Sequence, residues 1–271
     1  MVENPEQQQV TLRIENAVVW ITLNQPEKLN PIGSAARAQL DAALKQAERD
    51  DSVRCLVLTG AGRAFSAGAD VAEMGGAGGD MRTPEEVGRV LREQYLPMLL
   101  RIRSMPKPVI CGMNGLAAGI GASFAMACDI RIASDDSFIS EAFVNLGLGP
   151  DGGVSWMLPR LVGRGQALEM FFTAKRLSAS DCERFGLVNR VVPKDQVESE
   201  CRELAERLAA APLGALAAAK RAVNFAEGST FVEAVEFESL LQEARAASPD
   251  FTEGVTAFQE KRKPNFGAGV S

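Results

Sequence analysis

Residues 109–121 of the chain read VICGMNGLAAGIG, and this stretch decides the fold. The uncharged apolar run from Val109 to Cys111 predicts a strand buried on both faces, and the glycines after it predict a tight turn. Residues 119–128, nearly all small or apolar, then predict a helix that packs closely on its neighbours. Strand, glycine turn and helix in this order are typical of α/β proteins, in which ligands bind where the strands end.

The same order occurs upstream. Residues 34–50 have apolar positions at helical spacing, with Ser34 as the expected N-cap. Residues 53–60, VRCLVLTG, predict a second buried strand that ends in glycine. Residues 10–23 alternate around the turn pair Glu15-Asn16 and predict an N-terminal hairpin.

The pattern after Gly186 is almost wholly helical, with helices predicted over residues 197–210, 212–226, 231–247 and 251–259. We therefore expect an α/β core over residues 1–195 and a helical C-terminal subdomain over residues 196–271. The glycine patch at residues 75–80 predicts a mobile loop, and Pro84 begins a helix that runs to about Arg103.

Composition excludes several kinds of chemistry. The 271 residues include no histidine, so a Ser-His-Asp or Cys-His nucleophile and a histidine metal site are ruled out. The net charge of −6 disfavours nucleic acid as a partner. Five cysteines without C-x-x-C spacing suit reduced thiols in the cytoplasm, and no signal peptide is visible. The longest apolar run contains Asn114 and Ser123, so it does not predict a membrane span. Taken together, these features predict a soluble cytoplasmic protein with no bound metal.

Two glycine-containing loops are candidate ligand sites, because each leaves a buried strand and enters a helix. They are residues 60–70, GAGRAFSAGAD, and residues 112–121. Backbone N–H groups at such turns bind anions, and two of them converging on one oxygen form an oxyanion hole. Considered singly, either loop is as well explained by tight turns and close helix packing.

Four stretches in order resemble the crotonase (enoyl-CoA hydratase/isomerase) superfamily: residues 21–30 (ITLNQPEKLN), 65–70 (FSAGAD), 114–121 (NGLAAGIG) and 250–264 (DFTEGVTAFQEKRKP). The resemblance extends from about Val10 to Phe266. It implies an α/β fold with a ββα-superhelix core, and assembly as a homotrimer or a hexamer made of two trimers. It also implies an acyl-CoA thioester as substrate, with no cofactor beyond the coenzyme A of that substrate.

The resemblance further implies that the thioester carbonyl lies between the backbone N–H groups of Ala69 and Ile120. The residues it assigns to the path of coenzyme A and its acyl group are Lys28, Leu29, Ala67, Ala69, Asp70, Val71, Ile120, Phe143, Phe258 and Lys261. The last two often reach the coenzyme A of a neighbouring subunit. For Asp70, a helix N-cap is the alternative.

The acid residues separate the activities within the superfamily. Its hydratases use two glutamates, and the matching positions here hold Ser123 and Phe143. Its enoyl-CoA isomerases and the ring-epoxide isomerase of phenylacetate degradation resemble residues 145–153, NLGLGPDGG, and carry an acid at the place of Asp151. One carboxylate can take a proton from one carbon and return it to another. The resemblance therefore predicts an isomerase with Asp151 as the proton shuttle, beside an apolar wall including Phe143 and Trp156.

Other interpretations remain open. Asp151 could instead cap a helix that starts at Gly152, and Glu141 and Ser123 rank below it as assisting groups. Tyr95 could contact the acyl group, although a lone helical tyrosine more often packs with its hydroxyl at the surface. The alternative activities are hydration of a 2-enoyl-CoA, aspartyl nucleophilic catalysis on an aryl-CoA, which the absence of histidine weakens, and a non-catalytic role in binding CoA esters or RNA.

Overall fold

The computed structural model of the protein describes residues 8–74 and 83–266, so the predicted mobile loop at residues 75–80 lies outside the described residues. The strands are β1 Val10–Glu15, β2 Val18–Leu23, β3 Pro31–Ile32, β4 Cys55–Gly60, β5 Ala64–Ser66, β6 Gly68–Ala69, β7 Val109–Met113, β8 Leu116–Ala118, β9 Ile130–Ser134, β10 Phe138–Ser140, β11 Arg176–Ser178 and β12 Arg190–Val192. The helices are α1 Ser34–Arg49, α2 Pro84–Val90, α3 Leu96–Ser104, α4 Ile120–Ala127, α5 Val154–Val162, α6 Arg164–Thr173, α7 Ala179–Arg184, α8 Val197–Ala209, α9 Leu213–Ala226, α10 Phe231–Ala246 and α11 Pro249–Gln259.

These strands form three sheets. The largest has the order β1-β2-β4-β7-β9-β12, in which β1 and β2 are an antiparallel hairpin and the remaining neighbours are parallel. A second sheet has the order β11-β10-β8-β5, and the short strands β3 and β6 pair in parallel. The predicted α/β fold class is therefore confirmed.

Strands β4 and β7 are buried on both faces, as their sequences predict. In β4, Leu56 and Leu58 face a large core that also contains residues of α1, α3 and α4. Cys55 and Val57 face a smaller core completed by α8. Helix α8 lies within the predicted C-terminal subdomain and covers this second face of the sheet, whereas α9, α10 and α11 follow one another as a helical group.

Two local predictions were wrong, for physical reasons that the structure shows. The hairpin turn is formed by Asn16 and Ala17, both in the left-handed region, rather than by Glu15-Asn16. Ser34 is the first residue of α1 and not its N-cap. A distant carboxylate takes over the capping, since the Ser34 N–H donates to Glu73 Oε2 at 2.8 Å.

The helix predicted from Pro84 to Arg103 is interrupted. It consists of α2, one π-helical turn over Leu91–Tyr95, and α3. Pro97 lies at the start of α3 and has no N–H to donate, so the regular hydrogen-bond ladder cannot run through this point.

All five cysteines are free and buried, and burial raises the pKa of the Cys55 thiol to about 12. No helix within residues 8–74 and 83–266 combines the length and the apolar character needed to cross a bilayer.

Replacing a core leucine tests this packing. Leu58 on the central strand β4 has no exposed surface, so Leu58→Ala should lower the free energy of unfolding by about 2–5 kcal/mol through lost burial and a residual cavity. Urea denaturation measures the change. Leu100→Ala, the same truncation at an exposed position of α3, should change stability by well under half as much; equal effects would contradict the assignment of the core.

Candidate active site

The loop that ends in β6 packs tightly against the start of α4. A Cβ added to Gly68 would lie 2.8 Å from the Ala118 carbonyl oxygen and 3.7 Å from Ile120 N. A Cβ added to Gly121 would lie 2.7 Å from the Ser66 Cβ. Gly68 also has a φ of +98°, which side chains rarely tolerate. These two glycines allow the predicted loops to meet, and the meeting places Ala69 beside the first turn of α4.

Ile120 begins α4, so its N–H lies among the first N–H groups of a helix, which have no acceptor within that helix. The preceding residue is fixed in place, because the Gly119 N–H donates to the Ser140 carbonyl at 3.0 Å. Ala69 is held from its other side, where β6 pairs with β3 in the register Ile32 to Ala69. The two residues predicted to form an oxyanion hole thus come from separate, well-anchored segments.

Asn30 joins the residue 24–30 loop to this region. Its side chain accepts from the Gln25 N–H at 2.8 Å and donates to the carbonyls of Ala61 and Ala64 at 2.9 and 2.7 Å. Leu29 accepts from the Ala67 N–H at 2.8 Å. The structure therefore brings Leu29 and Ala67 together, while the Lys28 side chain is exposed beside them.

Asp70 is a cap in this structure. Its carboxylate accepts from the Ala72 N–H at 3.0 Å and caps the N-terminus of the short 3-10 helix Val71–Glu73. Val71 is exposed at the start of that helix. The N-cap alternative for Asp70 is thus what the geometry shows.

A buried arginine and a buried tyrosine lie behind Ala69. The Tyr95 hydroxyl donates to the Ile32 carbonyl at 2.7 Å, and Arg37 Nη1 approaches the same oxygen at 3.3 Å. Arg37 is buried and lies 3.6 Å from Glu73. The prediction that Tyr95 would have a surface hydroxyl was wrong: burial raises its pKa to about 12, so the hydroxyl stays neutral.

Arg37 was missed in the sequence, although a signal was present. It falls on the apolar stripe of α1, in line with Leu40, Leu44 and Ala47, where a solvated charge is not expected. A charge in that position indicates a buried partner.

Asp151 does not cap a helix through its side chain. Helix α5 begins at Val154 rather than Gly152, and Asp151 contributes only its carbonyl, which accepts from the Val154 N–H at 3.2 Å. Its Oδ1 atom is buried and has no hydrogen-bond partner within the described chain. Burial raises the pKa of Asp151 to about 6. A carboxyl group without a structural partner and with a raised pKa is suited to proton transfer near neutral pH.

Ser123 anchors the backbone of Asp151 to α4. Its buried hydroxyl lies 3.3 Å from the Asp151 carbonyl and 3.5 Å from the Gly119 carbonyl. The next residue, Gly152, is so close that an added Cβ would lie 2.3 Å from Ile120 Cδ1. The acid is therefore fixed to the helix whose first N–H is the candidate oxyanion donor.

Glu141 is a second buried acid in this region. It directly follows β10, whose Ser140 carbonyl holds Gly119, and neither of its carboxyl oxygens has a partner among the described residues. Burial and, secondarily, the charge of Asp151 raise its pKa to about 8. The Phe143 ring lies 3.7 Å from the position of a Gly119 Cβ, so it is part of the same site.

The chain matches the enoyl-CoA hydratase/isomerase family over residues 13–269. It belongs to that family. It is 40% identical to the 1,2-epoxyphenylacetyl-CoA isomerase of Escherichia coli (strain K12), over 93% of this chain and 96% of that protein. It is 36% identical to a short-chain-enoyl-CoA hydratase of Clostridium acetobutylicum, over 94% of this chain and 95% of that protein. The crystal structure of an enoyl-CoA hydratase from Bacillus anthracis superposes with a TM-score of 0.90 at 32% identity, covering 96% of this chain and 99% of that one.

Phe258 and Lys261, which the resemblance assigns to the coenzyme A of a neighbouring subunit, lie at the C-terminal helices, and Trp156 lies on α5. Phe258 is 85% exposed and lines a cavity of about 660 Å³ between α9, α10 and α11, and Lys261 is exposed just beyond α11. Trp156, predicted as part of the apolar wall, has the guanidinium carbons of Arg103 and Arg160 at 4.8 and 4.0 Å from its ring centre. Among the described residues, no three Cys, Asp or Glu side chains group as a metal site would require.

The Tyr95 hydroxyl offers a direct test of the support behind Ala69. Tyr95→Phe keeps the ring and removes the hydrogen bond to Ile32, so it should lower the free energy of unfolding by about 0.5–1.5 kcal/mol and shift the Ala69 amide resonance. Urea denaturation and amide NMR spectra measure the two effects. Unchanged stability together with an unmoved Ala69 resonance would show that the hydroxyl does not support this strand pair.

Proposed function

We propose that the protein is an acyl-CoA isomerase that shifts a double bond, or rearranges a related ring acyl group, with Asp151 as the proton shuttle. The observation that carries this proposal is the Asp151 carboxyl, whose Oδ1 is buried without a partner in the described chain. Its backbone is tied through Ser123 to the helix that begins at Ile120. The isomerase named among the family relatives supports the same assignment.

In the proposed reaction, the thioester oxygen accepts hydrogen bonds from the N–H groups of Ala69 and Ile120. Asp151 removes a proton from the α-carbon, and the electron pair moves into a dienolate whose charge rests on that oxygen. Asp151 then returns the proton to the γ-carbon, which moves the double bond into conjugation with the carbonyl. One such N–H donor lowers the barrier by about 3 kcal/mol in comparable sites. The chemistry requires no resident cofactor.

Substrate binding is part of the proposal. Leu29, Ala67, Asp70 and Val71 would line the coenzyme A path, with Lys28 at its exposed end. Phe258 and Lys261 would act on a neighbouring subunit of a homotrimer or hexamer, because their exposed positions on the C-terminal helices suit a contact outside their own chain. We place the enzyme in the cytoplasm.

Removing the Asp151 charge tests the assignment. Asp151→Asn keeps the shape of the side chain and abolishes its basicity, so turnover of trans-3-enoyl-CoA should fall by about 10²–10⁴-fold with little change in substrate affinity. Steady-state kinetics measure both. Asp135→Asn, the same change at an exposed site, should leave turnover unchanged. Wild-type turnover in Asp151→Asn would contradict the proposal.

The pH dependence provides a second test. Asp151 must be ionised to accept a proton, and burial raises its pKa to about 6. The value of kcat/KM should therefore rise with pH through about 6, above the range of an exposed aspartate. A pH-rate profile measures this limb. A profile that is flat from pH 5 upward would show that no group with the raised pKa of Asp151 acts as the base.

Hydration of a 2-enoyl-CoA is the second candidate. Two observations favour it: Glu141 supplies a second buried acid, and several relatives, including the Clostridium protein, are named hydratases. In this reaction the product gains one water. Incubation with crotonyl-CoA followed by mass spectrometry separates the two activities, because only hydration adds the mass of one water. Water addition faster than the isomerisation of trans-3-enoyl-CoA would make hydration the main reaction.

A further inference from the structure

Glu141 is a buried acid that the proposed reaction leaves unused. Its side chain has no exposed surface, and both carboxyl oxygens lack a hydrogen-bond partner in the part of the chain that the structure describes. A buried polar group without a partner destabilises the folded state, and a larger penalty applies to an unpaired charge. No packing requirement explains a carboxyl at this position, since an apolar side chain of the same length would avoid the cost.

The surroundings of Glu141 narrow its possible role. Asp151 is the charged group that acts on it. On α6, which packs against the turn after Glu141, the charged residues Arg164 and Glu169 are exposed, and Glu169 pairs with Lys175 at 3.1 Å. Tyr95, which also experiences the charge of Asp151, is neutral. The backbone also relates the two acids through Gly119: its N–H donates to the carbonyl of Ser140, the residue before Glu141, and its carbonyl lies 3.5 Å from the Ser123 hydroxyl that is 3.3 Å from the Asp151 carbonyl. Glu141 and Asp151 thus lie in one site at the start of α4.

Asp151 ionises at lower pH than Glu141, so over an intermediate pH range only Glu141 is protonated. The pKa is raised to about 6 for Asp151 and to about 8 for Glu141, so between these values Asp151 is charged while Glu141 carries its proton. A protonated carboxyl has one O–H donor, and an ionised carboxylate accepts. The protonated Glu141 carboxyl can therefore donate a hydrogen bond that the unpartnered Asp151 Oδ1 accepts.

We propose that Glu141 is a positioning residue for Asp151: its protonated carboxyl donates a hydrogen bond to the Asp151 carboxylate, directly or through one water, when substrate is bound. This inference rests on the proposed role of Asp151. Such a bond holds the carboxylate in one orientation and favours its ionised form. Hydrogen bonds of this kind are often long in the free enzyme and shorten in the substrate complex.

Two substitutions distinguish the role of Glu141 as a hydrogen-bond donor from the effects of its size and its charge. Glu141→Gln keeps a donor that cannot ionise, and Glu141→Met keeps the length with no donor. Both variants remove the unpaired carboxyl, so we expect Glu141→Met to be at least as stable as the wild type in urea. The wild type should lose stability as pH rises from about 4.5 towards 8, because the folded state holds a proton that the unfolded chain has released. The part of this loss above about pH 6 should disappear in both variants, whereas the part below it, to which Asp151 contributes, should remain.

The decisive readout is the pKa of Asp151, measured by NMR of carbon-13-labelled carboxyl groups. The titration is done in the presence of a non-reactive thioether analogue of the acyl-CoA substrate. In Glu141→Gln the Asp151 pKa should stay where it is in the wild type. In Glu141→Met it should move upward, because the stabilising donor is gone. Glu169→Gln, an equal change of charge on the exposed face of α6, should leave the Asp151 titration unchanged.

The pH dependence of activity tests the pairing of Glu141 and Asp151 independently of the NMR titration. The low-pH limb of kcat, which reports the substrate complex, should stay in place in Glu141→Gln and move to higher pH in Glu141→Met. Ionisation of Glu141 removes the donor, so kcat of the wild type should also fall above about pH 8, and this fall should vanish in both variants. If Asp151→Asn were fully active, the proposed function would fail, yet the NMR titration would still test the pairing. Identical Asp151 titrations in the wild type, Glu141→Gln and Glu141→Met would overturn the inference, as would a marked loss of stability in Glu141→Met.

Discussion

The close approach of the residue 66–69 loop to the first turn of α4 is the contact on which the rest of the site depends. Gly68 and Gly121 permit it, because a side chain at either position would meet backbone or side-chain atoms within 3 Å. The contact brings a strand residue, Ala69, beside the first helical residue, Ile120. It also explains the small-residue composition of α4, since bulky side chains would push the loop away from the helix.

Each segment at this contact is held by buried polar groups. The Asn30 carbonyl accepts from the Ser66 hydroxyl at 2.8 Å and so connects the loop to residues 24–30, and Tyr95 with Arg37 holds the Ile32 carbonyl opposite Ala69. Ser123 then links the start of α4 to Asp151. These bonds convert a local close contact into a fixed arrangement of two backbone donors and one acid. The same two backbone donors suit different reactions depending on which acids lie beside them, and we propose that Asp151 and Glu141 are those acids in this chain.

The sequence predicts the fold from its clearest patterns and the site from its motifs. Buried strands such as β4 are visible because both faces are apolar, and the glycine loops predict where ligands bind. Features that depend on distant partners are invisible in a local pattern: Glu73 replaces Ser34 as the cap of α1, and the Tyr95 hydroxyl turns inward to Ile32. The burial of Glu141 also depends on how the turn after β10 packs, which spacing along the chain does not reveal. The helix-cap alternative for Asp151 is excluded for its side chain only by the observed start of α5 at Val154.

We propose that this site moves a proton within an acyl-CoA rather than adding water to it. The most direct measurement is mass spectrometry of the products formed from a panel of enoyl-CoA and ring acyl-CoA esters in deuterated water. We expect a product of the same composition as its substrate, carrying deuterium only at carbon positions that exchange during the proton shift. Formation of a product that has gained one water, as fast as the fastest conversion in the panel, would contradict the proposed isomerisation.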